Sequence, residues 1–454
     1  NLPMAYIEKT FLIDDIKQIF LIRHLFNFII FFISSIFFFL LLKKRFSKLL
    51  SIIGLLFFYL SPRIFADSFY NNKDIIFFSF FIISLFFSIN FLNNPSYKGA
   101  LISSIICSLA IATRVLGIIV PFTVLVFFIL KSLDNKFFFK KNIFKIFTYI
   151  VFLQIFTILF WPYLWIDPIT NFFKTLESMS SYPWSGGIFY LGNYISALNL
   201  PWHYSIVWIL ISTPILYLFL FFLGFYLIII RFFKRFINLS EKKKYNDIYR
   251  GNKERMDIIF FSIFFFSILL VIQLNSTLYN GWRQLYYIYP SLIFISIRGL
   301  EFISRKIKIK YIFIFIIPFL IFTTLWMVIH HPFQFTYFNK LAGNNIRNNF
   351  EIDYWGVSNL KALNFIAKNN SSKKINVFIL SESPYHWSLL MLDKKDRERF
   401  NFVKNINESD FVVTNHFYQK GNPIKIEQKL NEKFKLFKAF NVNKIPVNSI
   451  YINN

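Results

Sequence analysis

Cysteine is all but absent: Cys107 is the only one in 454 residues. That excludes an intrachain disulfide and a cysteine-based metal cluster. The six histidines are scattered, and the adjacent pair His330–His331 lacks the i,i+4 spacing of a helical zinc pair. No metal site is predicted. Neither a phosphate-loop motif nor a dinucleotide fingerprint occurs, which disfavours ATP- or NAD-driven chemistry. Acidic residues are scarce, 23 against 50 Lys and Arg, leaving a net charge of +27. In a soluble chain that excess would suggest nucleic acid. What the chain has instead is apolar length: 56% hydrophobic residues, 66 Phe, and a mean hydropathy of +0.50. Runs near the bilayer-spanning length of about 20 residues recur, which predicts a polytopic helical membrane protein. The Phe, Ile, Asn and Lys bias matches an AT-rich genome, so Phe or Lys content alone carries little weight.

Ten spans are expected, at 18–42, 47–61, 75–93, 98–113, 116–131, 145–162, 203–230, 257–275, 284–300 and 311–329. The charges between them fall unevenly. Connections on one side hold 23 Lys and Arg, and those on the other hold 5. By the positive-inside rule the first set is cytoplasmic. The segment "SPRIFADSFYNNKD" (61–74), residues 1–17 and the tail from His330 then lie on the outer face. The tail alternates short β-like runs, "INVFIL", "DFVVTN" and "NSIYIN", with helical patterns, "SNLKALNFIAKN" and "NPIKIEQKLNEKF". The expected fold is an all-α polytopic membrane bundle with a small C-terminal α/β extramembrane domain. Its parts are an outer-face segment at 1–17, a transmembrane domain at 18–329 and an outer α/β domain at 330–454.

The outer connections carry charge at the membrane edge: Arg63, Asp67 and Asp74; Arg114; Asp167 and Glu177; Arg283. Arg23 lies where the N-terminal segment enters its span. A charge at membrane depth costs about 2.5–3.5 kcal/mol on insertion scales, so it usually faces a cavity or a partner. The alternative is snorkelling to headgroups, which suits Lys73. Asn71, Asn72 and Asp74 also suit a helix start. His203 in "LPWHY", Trp184 and Tyr279 are candidates to line an outer cavity, although Trp and Tyr belong to interfacial belts in any membrane protein. Asp14 and Asp15 read as a helix-capping pair.

Five segments in order, "SPRIFADSFYNNKD", "PYLWIDPI", "LPWHYSIVWILISTP", "LYNGWRQLYYIYP" and "HPFQFTYFNKLAG…DYWG", resemble bacterial relatives of the protein O-mannosyltransferases. These are membrane glycosyltransferases of the C superfamily. The resemblance covers most of residues 18–360. It implies a polyprenyl-phosphate-linked sugar donor, a protein, lipid or glycan acceptor, and inverting transfer on the outer face of a bacterial inner membrane. Membrane lipids are the other expected partners, and nucleic acid is not one. It also implies about eleven spans, so the chain is expected to be N-terminally truncated. A first-loop acidic pair, the family's main base, is then expected upstream of Asn1, and these residues alone are expected to lack it. Carried over residue by residue, Asp74 is the catalytic acid of the second outer motif and Asp67 the runner-up. Arg23, Arg283 and Arg63 are the donor-phosphate contacts. No cofactor is indicated, and a divalent cation stays open. The competing class is a transporter or flippase of lipid-linked sugars, which would place its charges nearer the midplane.

Overall fold

In the computed structural model the chain is a helical bundle capped at one end by an α/β domain. The structure describes residues 2–180, 182, 184, 186–237, 248–418 and 423–453. Part of the basic connection expected at 231–256 therefore lies outside the described residues. A short helix α1 (Leu2–Thr10) precedes α2 (Ile16–Arg45), which Asp15 caps by accepting the Lys17 N–H at 3.2 Å. Then come α3 (Lys48–Tyr59), α4 (Pro62–Tyr70), α5 (Asp74–Asn93), α6 (Tyr97–Thr113), α7 (Ile119–Asp134) and α8 (Lys136–Phe160). Helix α9 (Pro168–Ser180) and a hairpin, β1 (Gly187–Tyr190) with β2 (Asn193–Ser196), lead to α10 (Tyr204–Ser212) and α11 (Ile215–Ile237). Helices α12 (Gly251–Gln273), α13 (Tyr289–Lys306) and α14 (Ile309–Ile329) complete the bundle.

Among the described residues, seven helical segments are long and apolar enough to cross a membrane, or eight if α3 and α4, bent by 62°, form one broken span. Ten were expected, and the difference has local causes. Pro62 opens α4 at the bend, where its fixed φ suits a first turn. Pro214 follows Thr213 in an extended conformation and divides the expected span 203–230 into α10 and α11, which moves a boundary without changing the count, since α11 still has spanning length. Helix α6 stops at Thr113 because Arg114 is extended. Helix α13 carries Arg298, Glu301, Arg305 and Lys306 in its last turns. It is nevertheless a central helix: nearly every residue from Tyr289 to Leu300 is buried. Gly224 of α11 and Gly299 of α13 let the two backbones touch. A Cβ at either would sit about 2 Å from a carbonyl oxygen of the other helix (2.0 Å for Gly224, 2.1 Å for Gly299).

The C-terminal region follows α15 (Val357–Asn369) with β3 (Ile375–Ile379), α16 (His386–Leu390), α17 (Lys394–Arg397), β4 (Phe400–Phe402), β5 (Phe411–Thr414), α18 (Pro423–Asn431), β6 (Phe434–Val442) and β7 (Ile445–Asn453). Its sheet is mixed, in the order β4-β3-β5-β7-β6. Strand β3 runs parallel to β4 and β5, whereas β7 is antiparallel to β5 and β6. The β6–β7 hairpin turns on Asn443 and Lys444, both at positive φ, as a two-residue turn matched to strand twist requires. Ala362 and Ile366 of α15 pack on Ile375, Val377, Val413 and Ile450 to close the core. The helical pattern expected through Phe434 ends at Asn431, because Phe434 begins β6.

Candidate functional site

The bundle end under the α/β domain gathers three guanidiniums and two carboxylates. Asp74 is the first residue of α5 and almost fully buried. Asn71 supplies the helix cap: its Oδ1 accepts the Asp74 N–H at 3.1 Å, and its Nδ2 donates to Asp74 Oδ2 at 3.0 Å. The Asp74 carboxylate is thereby free for other partners. Arg114 binds Oδ1, and Arg283 Nη1 donates to Oδ2 at 2.9 Å. One carboxylate thus bridges the extended residue after α6 and the turn before α13.

Arg283 is stacked between aromatic rings, 4.8 Å from Tyr279 and 5.0 Å from Trp355. Trp184 packs on the same Tyr279, with ring centroids 4.5 Å apart. Trp355 comes from "DYWG", and the local sequence explains its placement. Asp353 accepts the Val357 and Ser358 N–H groups at 3.1 and 3.0 Å and so caps α15. Gly356 takes φ +69°, which favours glycine, and a Cβ there would press on Asn359 and Ser383. The turn directs Trp355 into the bundle, where Nε1 donates to Asp67 Oδ1 at 3.1 Å. Asp67 is fully buried, with Oδ2 lacking a hydrogen-bond partner and the Tyr286 side chain beside it.

Arg63 forms no ion pair with Asp67, which lies four residues further along α4. Its Nε donates to the Tyr337 carbonyl at 3.0 Å, and its guanidinium lies over Phe338 and Trp208. Arg23 is also placed apart from the cluster. It holds Glu8 of α1 through two hydrogen bonds of 2.6 and 2.7 Å, on a well exposed side chain. His203 sits before α10 with Nδ1 2.7 Å from the Tyr190 hydroxyl, so it braces the β1 hairpin. Of the residues expected from sequence, Asp74, Asp67, Arg283, Tyr279 and Trp184 converge, with Arg63 bordering them. Among the described residues no group of His, Cys, Asp and Glu is arranged to hold a metal ion.

Arg114, Trp355 and Glu351 were missed as site residues. Arg114 had a signal: it interrupts an apolar run in "ATRVLG". Glu351 had none. It is buried, its Oε1 accepts the Phe189 N–H at 3.3 Å, and Oε2 has no hydrogen-bond partner. Burial pushes its carboxyl up to about 8, against the pull of the Phe189 N–H and the Arg283 charge. At neutral pH it is therefore mostly a neutral acid beside the arginine cluster, and its effect on stability has a definite sign. The folded-state value lies above the ordinary 4.5, so the unfolded chain ionises first as pH rises. Stability from this group is complete below about pH 4.5 and falls by up to about 1.4 kcal/mol per pH unit until about pH 8. Glu351→Gln should remove that slope. Melting temperatures of the two proteins in detergent should nearly agree at pH 5, with the variant higher at pH 8. Parallel curves across that range would overturn the assignment.

The site therefore carries three positive and two negative charges when Glu351 is protonated. Arg114 Nε, Arg283 Nε and Arg63 Nη2 are buried without hydrogen-bond partners. Such a cluster suits an anion with several acceptor oxygens, and guanidiniums grip phosphate with paired donors. No match to the chain is found among curated proteins. Residues 15–161, which run from the cap of α2 past the end of α8 and include Arg63, Asp67, Asp74 and Arg114, match the model of the dolichyl-phosphate-mannose-protein mannosyltransferase family.

Proposed function

We propose that the chain is a multi-pass membrane glycosyltransferase that takes a sugar from a polyprenyl-phosphate donor at the bundle end beneath the α/β domain. The observation that carries this reading is the buried Asp74 bridge between Arg114 and Arg283, with guanidinium N–H groups left over for a phosphate. In the reaction an acceptor hydroxyl attacks the anomeric carbon. The bond from that carbon to the phosphate oxygen breaks, and the carrier phosphate leaves with the electron pair. Negative charge grows on the phosphate, where Arg283, Arg114 and Arg63 would stabilise it. The hydroxyl proton must pass to a base. Asp67 has a carboxylate oxygen without a hydrogen bond and suits proton acceptance. Asp74, held by two arginines, suits the ordering of the phosphate site. Tyr279 and Trp184 extend the aromatic wall on which a sugar ring could lie. The loop charges support an outer location for this end, in a bacterial inner membrane, and the acceptor class remains protein, lipid or glycan.

The test uses the purified protein in vesicles with a radiolabelled polyprenyl-phosphate sugar. Transfer should release carrier phosphate in step with labelled acceptor. Label that crosses the bilayer on an intact carrier would favour the transporter class instead. Arg283→Lys keeps the charge but loses the planar stack and the second donor. It should lower kcat/KM for the donor by about tenfold or more, equivalent to about 1.4 kcal/mol of barrier. An unchanged value would remove Arg283 from the phosphate site.

A further inference from the structure

The opposite end of the bundle holds two cations for which no carboxylate serves as counter-charge among the described residues. Arg255 lies in the first turns of α12 and is 2% exposed. One of its terminal nitrogens donates to the Asn93 side chain at the end of α5, and Tyr249 lies against it. Its Nε has no hydrogen-bond partner. Lys131, near the end of α7, is close enough for the two cations to repel. Among the described residues its Nζ reaches the Leu92 carbonyl, at 3.4 Å, and the face of the Phe138 ring, at 4.0 Å.

The contrast with the same helix is sharp. Asp257, two residues further along α12, serves Arg45 and Arg231 at 2.6 and 2.9 Å. Among the described residues, then, carboxylates balance the buried arginines on one face of α12, and none balances Arg255 on another. Desolvating a guanidinium without an opposite charge is costly. The N-terminus of α12 adds further positive potential at that point. All of these groups favour one kind of ligand, an anion with several acceptor oxygens.

We propose that Arg255 and Lys131, with Asn93 and Tyr249, bind the phosphate of an anionic phospholipid in the leaflet at that end of the bundle. The neighbouring surface favours a lipid over a free ion. Leu133, Phe137 and Phe139 are 61%, 73% and 43% exposed beside Lys131, a place for acyl chains next to a bound headgroup. A cation with apolar side chains at its flank is the usual makeup of a lipid headgroup pocket. This site lies apart from the Asp74 cluster, at the other end of α5, and does not depend on the sugar-transfer reading.

The experiment measures the melting temperature of the full chain in neutral detergent as lipid is added. Phosphatidylglycerol should raise it by several degrees in the wild type, while phosphatidylcholine should not, because ligand binding to the folded state alone raises stability. Arg255→Gln should lose most of that rise. Lys131 is only partly buried, so Lys131→Gln tests the site even where Arg255→Gln fails to fold, and it should lose at least half the rise. An equal response of wild type and Lys131→Gln to phosphatidylglycerol would overturn the proposal. A rise of the same size with inorganic phosphate alone would also overturn it, by showing that the site takes the free ion and does not select lipid.

Discussion

Asp74→Asn should lower sugar-transfer turnover by more than tenfold, above about 1.4 kcal/mol of barrier. It should also destabilise the protein, which a residue acting only as a base would not do. The Asp74 carboxylate is buried and is the ion-pair partner of both Arg114 and Arg283. Asparagine leaves two largely buried guanidiniums without their ion-pair partner. Breaking a buried ion pair from one side costs about 3–5 kcal/mol. The double variant Asp74→Asn, Arg283→Gln should recover part of the stability, because the charge balance returns. It should not recover turnover, because a phosphate contact is gone. Turnover is therefore read per folded molecule, with folding followed by thermal melting in detergent. Wild-type turnover in folded Asp74→Asn would reduce this residue to a brace between α5 and the two arginines. Equal stability of the single variant and the wild type would contradict the ion-pair arrangement itself.

Much of the architecture could be read from apolar run length, since the bilayer sets the length of a spanning helix. The tail's short β-like runs anticipated β3, β5 and β7, and its helical patterns anticipated α15 and α18. Span boundaries were harder to read, because hydropathy is blind to direction. The run at 203–230 stays apolar through Thr213–Pro214, where the backbone nevertheless breaks. At the site, Asp74 and Arg283 stood out because charges among aromatics near a span need a reason. Their pairing could not be read, since 209 residues separate them. Trp355 stands in the quoted "DYWG", but the Asp67 that it contacts is 288 residues away, so its partner could not be read. Arg23 misled for the opposite reason. Its partner, Glu8, lies 15 residues away on a separate short helix. Arg63 shows the limit of spacing rules. An i,i+4 acid was available on α4, but a carbonyl and two rings from other segments took the guanidinium instead.

Asp257→Asn should cause a loss of folding stability comparable to that of Asp74→Asn, with little effect on turnover per folded molecule. The basic residues at this end read in the sequence as topological anchors, and the structure buries several of them. Asp257 is fully buried and takes two bonds from Arg45, at 2.6 and 3.1 Å, and one from Arg231 at 2.9 Å. Arg298 approaches at 3.7 Å. These contacts tie the end of α2, the end of α11 and the middle of α13 to the first turns of α12. Glu301 shares the load, pairing with Arg45, Arg298 and Arg305 at 3.1, 3.2 and 2.8 Å. Arg305 is two-thirds exposed, so its own pair with Glu301 is screened by water and adds little. Losing Asp257 leaves Arg45 and Arg231 dependent on what remains, at a cost of about 3–5 kcal/mol. Glu301→Gln should cost less, because Asp257 still neutralises Arg45. The ranking is measurable by thermal or denaturant melting in detergent, with sugar transfer assayed on the surviving folded fraction. A smaller loss for Asp257→Asn than for Glu301→Gln would show that the network is centred on Glu301. A tenfold fall in turnover at full folding would show instead that this end of the bundle is coupled to the Asp74 site.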